Sequence, residues 1–161
     1  MESIVEWMTA TALNTWVNGS AWVWPTLETL HFFGLCLLLG SLLIIDMRMI
    51  GWFKRIDIGA THALLPLVFI GFVINLGTGT LFLFGDPGRY VINIAFQLKM
   101  LLVILAGLNA LLFYWKIDPV MAGWGAHDGT PAIAKFVGAA SLVFWFGVLA
   151  FGRLIPYMGT G

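Results

Sequence analysis

The sequence predicts an all-α fold, an integral membrane antiparallel four-helix bundle with a short N-terminal interfacial amphipathic helix. Of the 161 residues, 60% are hydrophobic and only 10% are charged, whereas soluble domains carry about 25% charged residues. Four apolar segments each reach the roughly 20 residues that a spanning helix needs. These segments are too long, and alternate too little, for barrel strands, so helices are the expected way of crossing lipid. Residues 1–161 are expected to form a single transmembrane domain.

The first element is the interfacial helix, predicted over residues 3–18. Its apolar residues recur at the spacing of a helix that lies in the membrane interface. They are Ile4, Val5, Met8, Ala12, Leu13, Trp16 and Val17. We expect no cleavable signal peptide here, because residues 1–20 contain two glutamates and neither lysine nor arginine.

Four spans follow the interfacial helix. Pro25 suits the first turn of the first span. The run 85–88, Gly-Asp-Pro-Gly, predicts a turn between the second and third spans, and Pro156 follows the fourth. The predicted spans are residues 25–46, 63–84, 91–114 and 133–154.

Basic residues predict the orientation of these spans. Because cytoplasmic loops carry the excess of lysine and arginine, loops 47–62 and 115–132 are expected inside and both termini in the periplasm. Arg89 and Arg153 lie on the opposite side. The basic residues on the predicted cytoplasmic side are Arg48, Lys54, Arg55, Lys116 and Lys135.

Polar residues concentrate in the predicted outer half of the membrane. With a rise of about 1.5 Å per residue, five such residues from three spans share this depth, and Glu28 and His31 share one helix face. Ionisable groups inside a membrane are expensive and are functional candidates by default. Lys99 is expected to point inward, toward Glu28 or His31. The five are Glu28, His31, Asn75, Gln97 and Lys99.

A second, looser polar group is predicted at the inner end. His62 begins the second span. Asp46 and Arg48 are expected to form a solvated, mutually paired helix end, whereas Asn109, like Asn75, is typical of interhelical hydrogen bonding. His127 lies in a glycine-rich inner loop and is expected to be solvated.

These residues favour haem b as a cofactor, because imidazole in a helical bundle is a common ligand of haem iron. His31 is the predicted axial ligand, tuned by Glu28 and Lys99, and His62 is the candidate ligand of a second, inner haem. The two histidines differ in depth by about 20–25 Å, so we do not expect them to hold one iron.

The rest of the predicted haem site consists of cations and small residues. Arg153, with Arg89, lies where haem propionates could emerge, and Asn75 lies near the same depth. A covalent haem is not expected, since no Cys-x-x-Cys-His run occurs. Glycines on the first two spans would let a macrocycle approach the backbone: Gly34, Gly71, Gly77 and Gly79.

Two other interpretations stay open. Copper could use soft ligands such as Met8, Met47, Met49 and Cys36 together with His31. The chain could also be a cofactor-free membrane anchor or assembly subunit of a larger complex, in which the polar residues join helices.

The chain also resembles a known group of proteins. Its first span resembles that of small bacterial four- and five-helix membrane proteins, among them HemJ-type protoporphyrinogen oxidases and CopD-like copper-resistance proteins. A later segment is similar to an uncharacterised four-helix family within that group. The first motif is Trp24…Glu28-x-x-His31-x-x-Gly34…Gly40…Asp46-x-Arg48…Gly51. The second is Asp86-Pro87…Tyr90…Asn93…Phe96-x-x-Lys99…Asn109.

The resemblance implies a protein of the bacterial inner membrane with haem b bound through the histidine of the first span and an essential lysine nearby. His31 and Lys99 match those positions. A HemJ-like porphyrin oxidoreductase is therefore a further alternative, although Asn109 stands where a further histidine is expected.

The function predicted from the sequence is transmembrane electron transfer by a haem b-binding protein. A quinone or a periplasmic redox protein is the expected partner, and nucleic acid is not, because the net charge is zero. We also expect a homo-oligomer, since a run of small residues on the fourth span permits close helix contact. The run is Gly138, Ala139, Ala140 and Ser141.

Overall fold

The computed structural model describes residues 2–121 and 129–158, which confirm the all-α prediction. Within these two ranges the chain forms nine helices and no strand. The helices are α1 (Glu2–Thr9), α2 (Ala12–Asn18), α3 (Val23–Ile50), α4 (Ile58–His62), α5 (Leu65–Gly85), α6 (Pro87–Val91), α7 (Ile94–Lys116), α8 (Asp118–Met121) and α9 (Ala132–Leu154). His127, which is expected to be solvated, lies outside the described residues.

Four of these segments are long and apolar enough to cross a membrane, so the chain is a multi-pass membrane protein. They are α3, α7, α9 and the stretch Gly59–Gly85, which includes α5. Their mean hydropathies range from 1.9 to 2.1. The bounds differ from the predicted spans by a few residues. The largest difference is in α3, which continues to Ile50 instead of ending at residue 46. Gly51, with a left-handed φ of 108°, is its C-cap.

The N-terminal segment is two helices, so the prediction of one helix over residues 3–18 is wrong. Thr11 has an extended backbone, and its side chain accepts a hydrogen bond from the backbone N–H of Asn14, which begins α2 as a new helix. The Asn14 amide also donates to the Phe84 carbonyl at 2.8 Å, and the Asn18 amide to the Gly85 carbonyl at 2.9 Å. These amides satisfy carbonyls that the end of α5 leaves without helical partners.

The four long helices form a ring that is open on one side. α5 packs against α3, α3 against α9, and α9 against α7, whereas α5 and α7 do not pack against each other. We call the end that holds α1, α2 and α6 the termini end, and the end that holds α4 and α8 the loop end. An apolar cluster fills the loop end: Ile45, Met49, Phe113, Ile117, Met121, Ala134 and Val137.

Glycines bring α3 and α5 into backbone contact. A Cβ on Gly71 would lie 2.6 Å from both the Gly34 carbonyl oxygen and the Leu38 nitrogen, which is the close approach that small residues permit in membranes. The side-chain amide of Asn75 donates to the Gly71 carbonyl at 2.8 Å and lies against Gly34. The prediction that Gly34 and Gly71 line a cofactor slot is therefore wrong, because the neighbouring helix fills that space.

Asp46 and Arg48 are buried, with 3% and 0% of their surface exposed, so the prediction of a solvated helix end is wrong. The cause is the length of α3, which places both residues within the bundle instead of at its rim. The Arg48 Nε donates to the Ile56 carbonyl in the loop after α3, at 2.8 Å. The Ser141 hydroxyl of α9 lies beside the Asp46 carboxyl group.

Candidate functional site

His31 is held by a relay of hydrogen bonds between α3 and α5. Its Nδ1 lies 2.7 Å from the Thr78 hydroxyl oxygen. That hydroxyl donates its single proton to the Ile74 carbonyl at 2.7 Å, so its oxygen accepts from the Nδ1–H of neutral His31. This hydrogen-bond pattern assigns the ring proton to Nδ1 and the lone pair to Nε2. Sequence reasoning missed Thr78, because nothing in its spacing links it to His31, 47 residues away.

His31 lines a cavity of about 290 Å³ at the termini end, which we call the His31 pocket. The Phe82 ring lies edge-on to His31, with centroids 5.6 Å apart, and packs on Trp24 at 5.3 Å. Glu28 and Arg89 bring one charge of each sign to the wall. The pocket thus combines an imidazole with aromatic walls and a charged rim.

Lys99 lies close to this pocket on α7. It is half-buried, and a Cβ on Gly152 of α9 would be 3.5 Å from its Nζ. Gly152 also lines the His31 pocket, and the ammonium acts electrostatically on the His31 ring. Glu28 is exposed. Of the two predicted partners of Lys99, Glu28 forms no ion pair with it among the described residues, and the direction toward His31 stays a prediction.

Arg89 and Tyr90 enter the pocket from α6. The Arg89 guanidinium lies 3.3 Å from the Asp86 carboxylate, and both side chains remain partly exposed. Tyr90 packs edge-on against Phe96 at 5.5 Å. Burial raises the pKa of the Tyr90 phenol, opposed by the nearby Arg89 charge. The phenol therefore keeps its proton and can donate a hydrogen bond into the pocket.

Three other predicted site residues lie elsewhere. Asn75 is at the crossing of α3 and α5, and its Oδ1 is buried without a hydrogen-bond partner among the described residues. Arg153 is exposed and pairs with the Tyr157 hydroxyl at 3.3 Å. His62 is at the loop end, where its Nε2 lies 2.5 Å from the Asp118 carboxylate and half of its side chain is exposed. The structure thus brings together Glu28, His31 and Lys99, and leaves these three apart.

Residues 2–121 and 129–158 offer no ligand set for a bare metal ion, because no group of three or more His, Cys, Asp or Glu side chains converges there. Cys36 is exposed, and Met49 belongs to the loop-end cluster, away from His31. A metal at His31 would therefore have to bring most of its own ligands, as it does in haem.

No protein-family model, curated protein or solved structure matches the chain. The resemblance to HemJ-type and CopD-like proteins therefore stays a prediction.

Proposed function

We propose that this chain binds haem b through His31 and acts in transmembrane electron transfer. The observation that carries the proposal is the 2.7 Å hydrogen bond between the His31 Nδ1 and the Thr78 hydroxyl oxygen. With the ring proton assigned to Nδ1, Nε2 is left with a lone pair, and no described residue hydrogen-bonds to that nitrogen. Histidines that bind metals are commonly oriented by such a hydrogen bond from the other ring nitrogen.

The chemistry of the His31 pocket fits a haem in two respects. Aromatic and apolar side chains, including Phe32, Phe82 and Ile155, would contact the macrocycle. Arg89 lines the rim and the Lys99 ammonium lies at its edge, so positive charge is available for anionic propionates. When bound, haem supplies the one-electron redox chemistry.

The size of the pocket limits how one chain holds a haem. Its volume of about 290 Å³ is just below the roughly 300–1,000 Å³ of ligand sites. Phe32 lines this pocket, yet 64% of its surface is exposed. Part of the ring would therefore lie beyond Phe32, against lipid or a second copy of this chain.

Within the site, each residue of the chain has a distinct task. Thr78 orients the imidazole and fixes its tautomer. Phe82 and Trp24 exclude water from one side of His31. The Lys99 and Arg89 charges favour an anionic group at the rim, and the neutral Tyr90 phenol offers a donor.

The first prediction is that His31→Ala abolishes haem binding. Protein purified from haem-sufficient cells should show a Soret band, and the band should be lost in the variant because the iron loses its protein ligand. His62→Ala is the matched control, since its ring is at the loop end, and it should keep the band.

A wild-type protein without a Soret band, or a His31→Ala band of undiminished intensity, would contradict the proposal. The first outcome would favour the cofactor-free anchor or assembly subunit.

The second prediction concerns the orienting hydroxyl. Thr78→Val keeps the shape of the side chain but removes the oxygen that accepts from Nδ1–H. Loss of such an orienting partner typically weakens ligation by about 10- to 100-fold, so haem titration of the apoprotein should show a comparable loss of affinity. Thr78→Ser keeps the oxygen and should bind nearly as tightly as wild type. Equal losses in the two variants would show that the hydroxyl does not orient the ligand.

A further inference from the structure

A second cavity, of about 210 Å³, lies in the loop-end half of the bundle. It exists because α5 and α7 do not pack against each other, and we call it the α5–α7 cleft. Phe69 and Phe72 of α5 form one wall, Gly107 and Tyr114 of α7 form the other, and Asp46 of α3 lies in its floor. The cleft is separate from the His31 pocket, with which it shares no lining residue.

The floor of the cleft offers hydrogen-bond acceptors. Asp46 is 3% exposed, and its Oδ2 has no hydrogen-bond partner among the described residues. Asn109 donates its side-chain amide to the Val137 carbonyl at 3.0 Å, which leaves its own Oδ1 to accept. A buried acceptor without a donor is costly, so this floor favours a ligand that carries hydroxyl groups.

The walls of the cleft favour a flat ring. The Phe72 and Trp145 rings meet edge-on with centroids 6.3 Å apart, and such aromatic surfaces bind other rings by stacked or edge-on contacts. The Phe69 and Tyr114 side chains are 67% and 52% exposed, at the side of the bundle where α5 and α7 leave a gap. An apolar tail on the ring would leave through this gap into the surrounding acyl chains.

We propose that the α5–α7 cleft binds a lipid-soluble hydroquinone, with a ring hydroxyl donating to Asp46 Oδ2 and the apolar tail passing between α5 and α7. A phospholipid fits less well, because its phosphodiester offers only acceptor oxygens to a floor that lacks a donor among the described residues. The binding itself is independent of haem; a role for this ligand as the membrane-side electron partner would rest on the function proposed above.

The test compares two probes on the full-length protein in detergent micelles: decylhydroquinone, kept reduced, and its dimethyl ether. A ligand that binds only the native state raises the unfolding midpoint in a concentration-dependent way. Decylhydroquinone should do so, and the ether, which cannot donate a hydrogen bond, should bind up to about tenfold more weakly, as is typical for a lost hydrogen bond. Equal binding of the two probes would overturn the proposal.

Two matched variants test the location. A side chain at Gly107 or at Gly77 would meet no atom within 4 Å at its Cβ, and both positions are exposed, but only Gly107 lines the cleft. Gly107→Phe should fill the gap and remove the shift in midpoint, whereas Gly77→Phe should keep it. An unchanged shift in Gly107→Phe would overturn the proposal. Because the readout is the increment that the probe adds, a lower starting midpoint does not affect the comparison.

Two further variants test whether hydroquinone binding depends on Asp46 and is independent of the haem site. Asp46→Asn removes one acceptor oxygen at nearly constant shape and should weaken decylhydroquinone binding by about tenfold. His31→Ala should leave that binding unchanged, even if it loses all haem. Loss of the Soret band with retained hydroquinone binding would support both proposals, whereas hydroquinone binding without a Soret band in the wild type would support the cleft alone. Full-strength binding to Asp46→Asn would count against the cleft.

Discussion

Gly71→Ala is expected to destabilise the protein by about 2 kcal/mol or more, within the range for side chains forced into filled space. The new Cβ would lie 2.6 Å from the Gly34 carbonyl oxygen and the Leu38 nitrogen. Both are backbone atoms, so a rotamer change cannot relieve the clash and α3 must move away from α5. Titration with a denaturing detergent, followed by circular dichroism, measures the change in the free energy of unfolding.

Gly77→Ala is the matched control on the same helix. A Cβ at Gly77 would meet nothing within 4 Å, and alanine in a helix interior is favoured over glycine by about 0.5–1 kcal/mol. We therefore expect an unchanged or slightly raised stability. Equal destabilisation by the two substitutions would show that the contact between α3 and α5 does not depend on the missing side chain at Gly71.

Asn93→Ala is expected to lower the free energy of unfolding by about 2–3 kcal/mol, the sum of a lost N-cap and a lost buried hydrogen bond. Asn93 is 2% exposed. Its Oδ1 accepts from the backbone N–H groups of Ala95, at 2.9 Å, and Phe96, at 3.3 Å, while its amide donates to the Ile155 carbonyl at 3.0 Å. One side chain thus begins α7 and ties it to the end of α9. The same detergent titration measures the effect.

Asn18→Ala provides the comparison for Asn93. The Asn18 amide also donates to a carbonyl at the end of a helix, that of Gly85, but the residue is exposed. Water can replace its hydrogen bond, so the expected loss is at most about 1 kcal/mol. Equal losses of stability at Asn18 and Asn93 would show that burial does not determine the cost of removing these side chains.

Composition and length were sufficient to predict the spans, because crossing a bilayer requires apolar helices of a minimum length. Spacing along α3 was sufficient to place Glu28 and His31 on one face, since that relation lies within a single helix. The neighbours of α3 were not predictable in the same way. Long helices that are apolar all round carry no amphipathic signal for which face meets which partner.

The residues that sequence reasoning missed show this limit. Thr78 matters because α5 happens to lie beside α3 at the depth of His31, and no local pattern encodes that register. Asp46 was assigned to solvent because the predicted end of α3 was one turn too early, whereas the helix continues to Ile50 and ends at the left-handed Gly51. The pair of His62 and Asp118 likewise joins segments that are distant in sequence, which only the folded topology brings together.

The gap between α5 and α7 determines how a ligand would reach the cleft and what would set its occupancy. A molecule that binds in the cleft arrives sideways, by two-dimensional diffusion among the acyl chains, without first crossing an aqueous mouth. Its occupancy would then follow its mole fraction in the bilayer, and adding more lipid at a constant amount of ligand would empty the site. A change in the bulk water volume would leave occupancy unaltered for a ligand that partitions fully into the membrane.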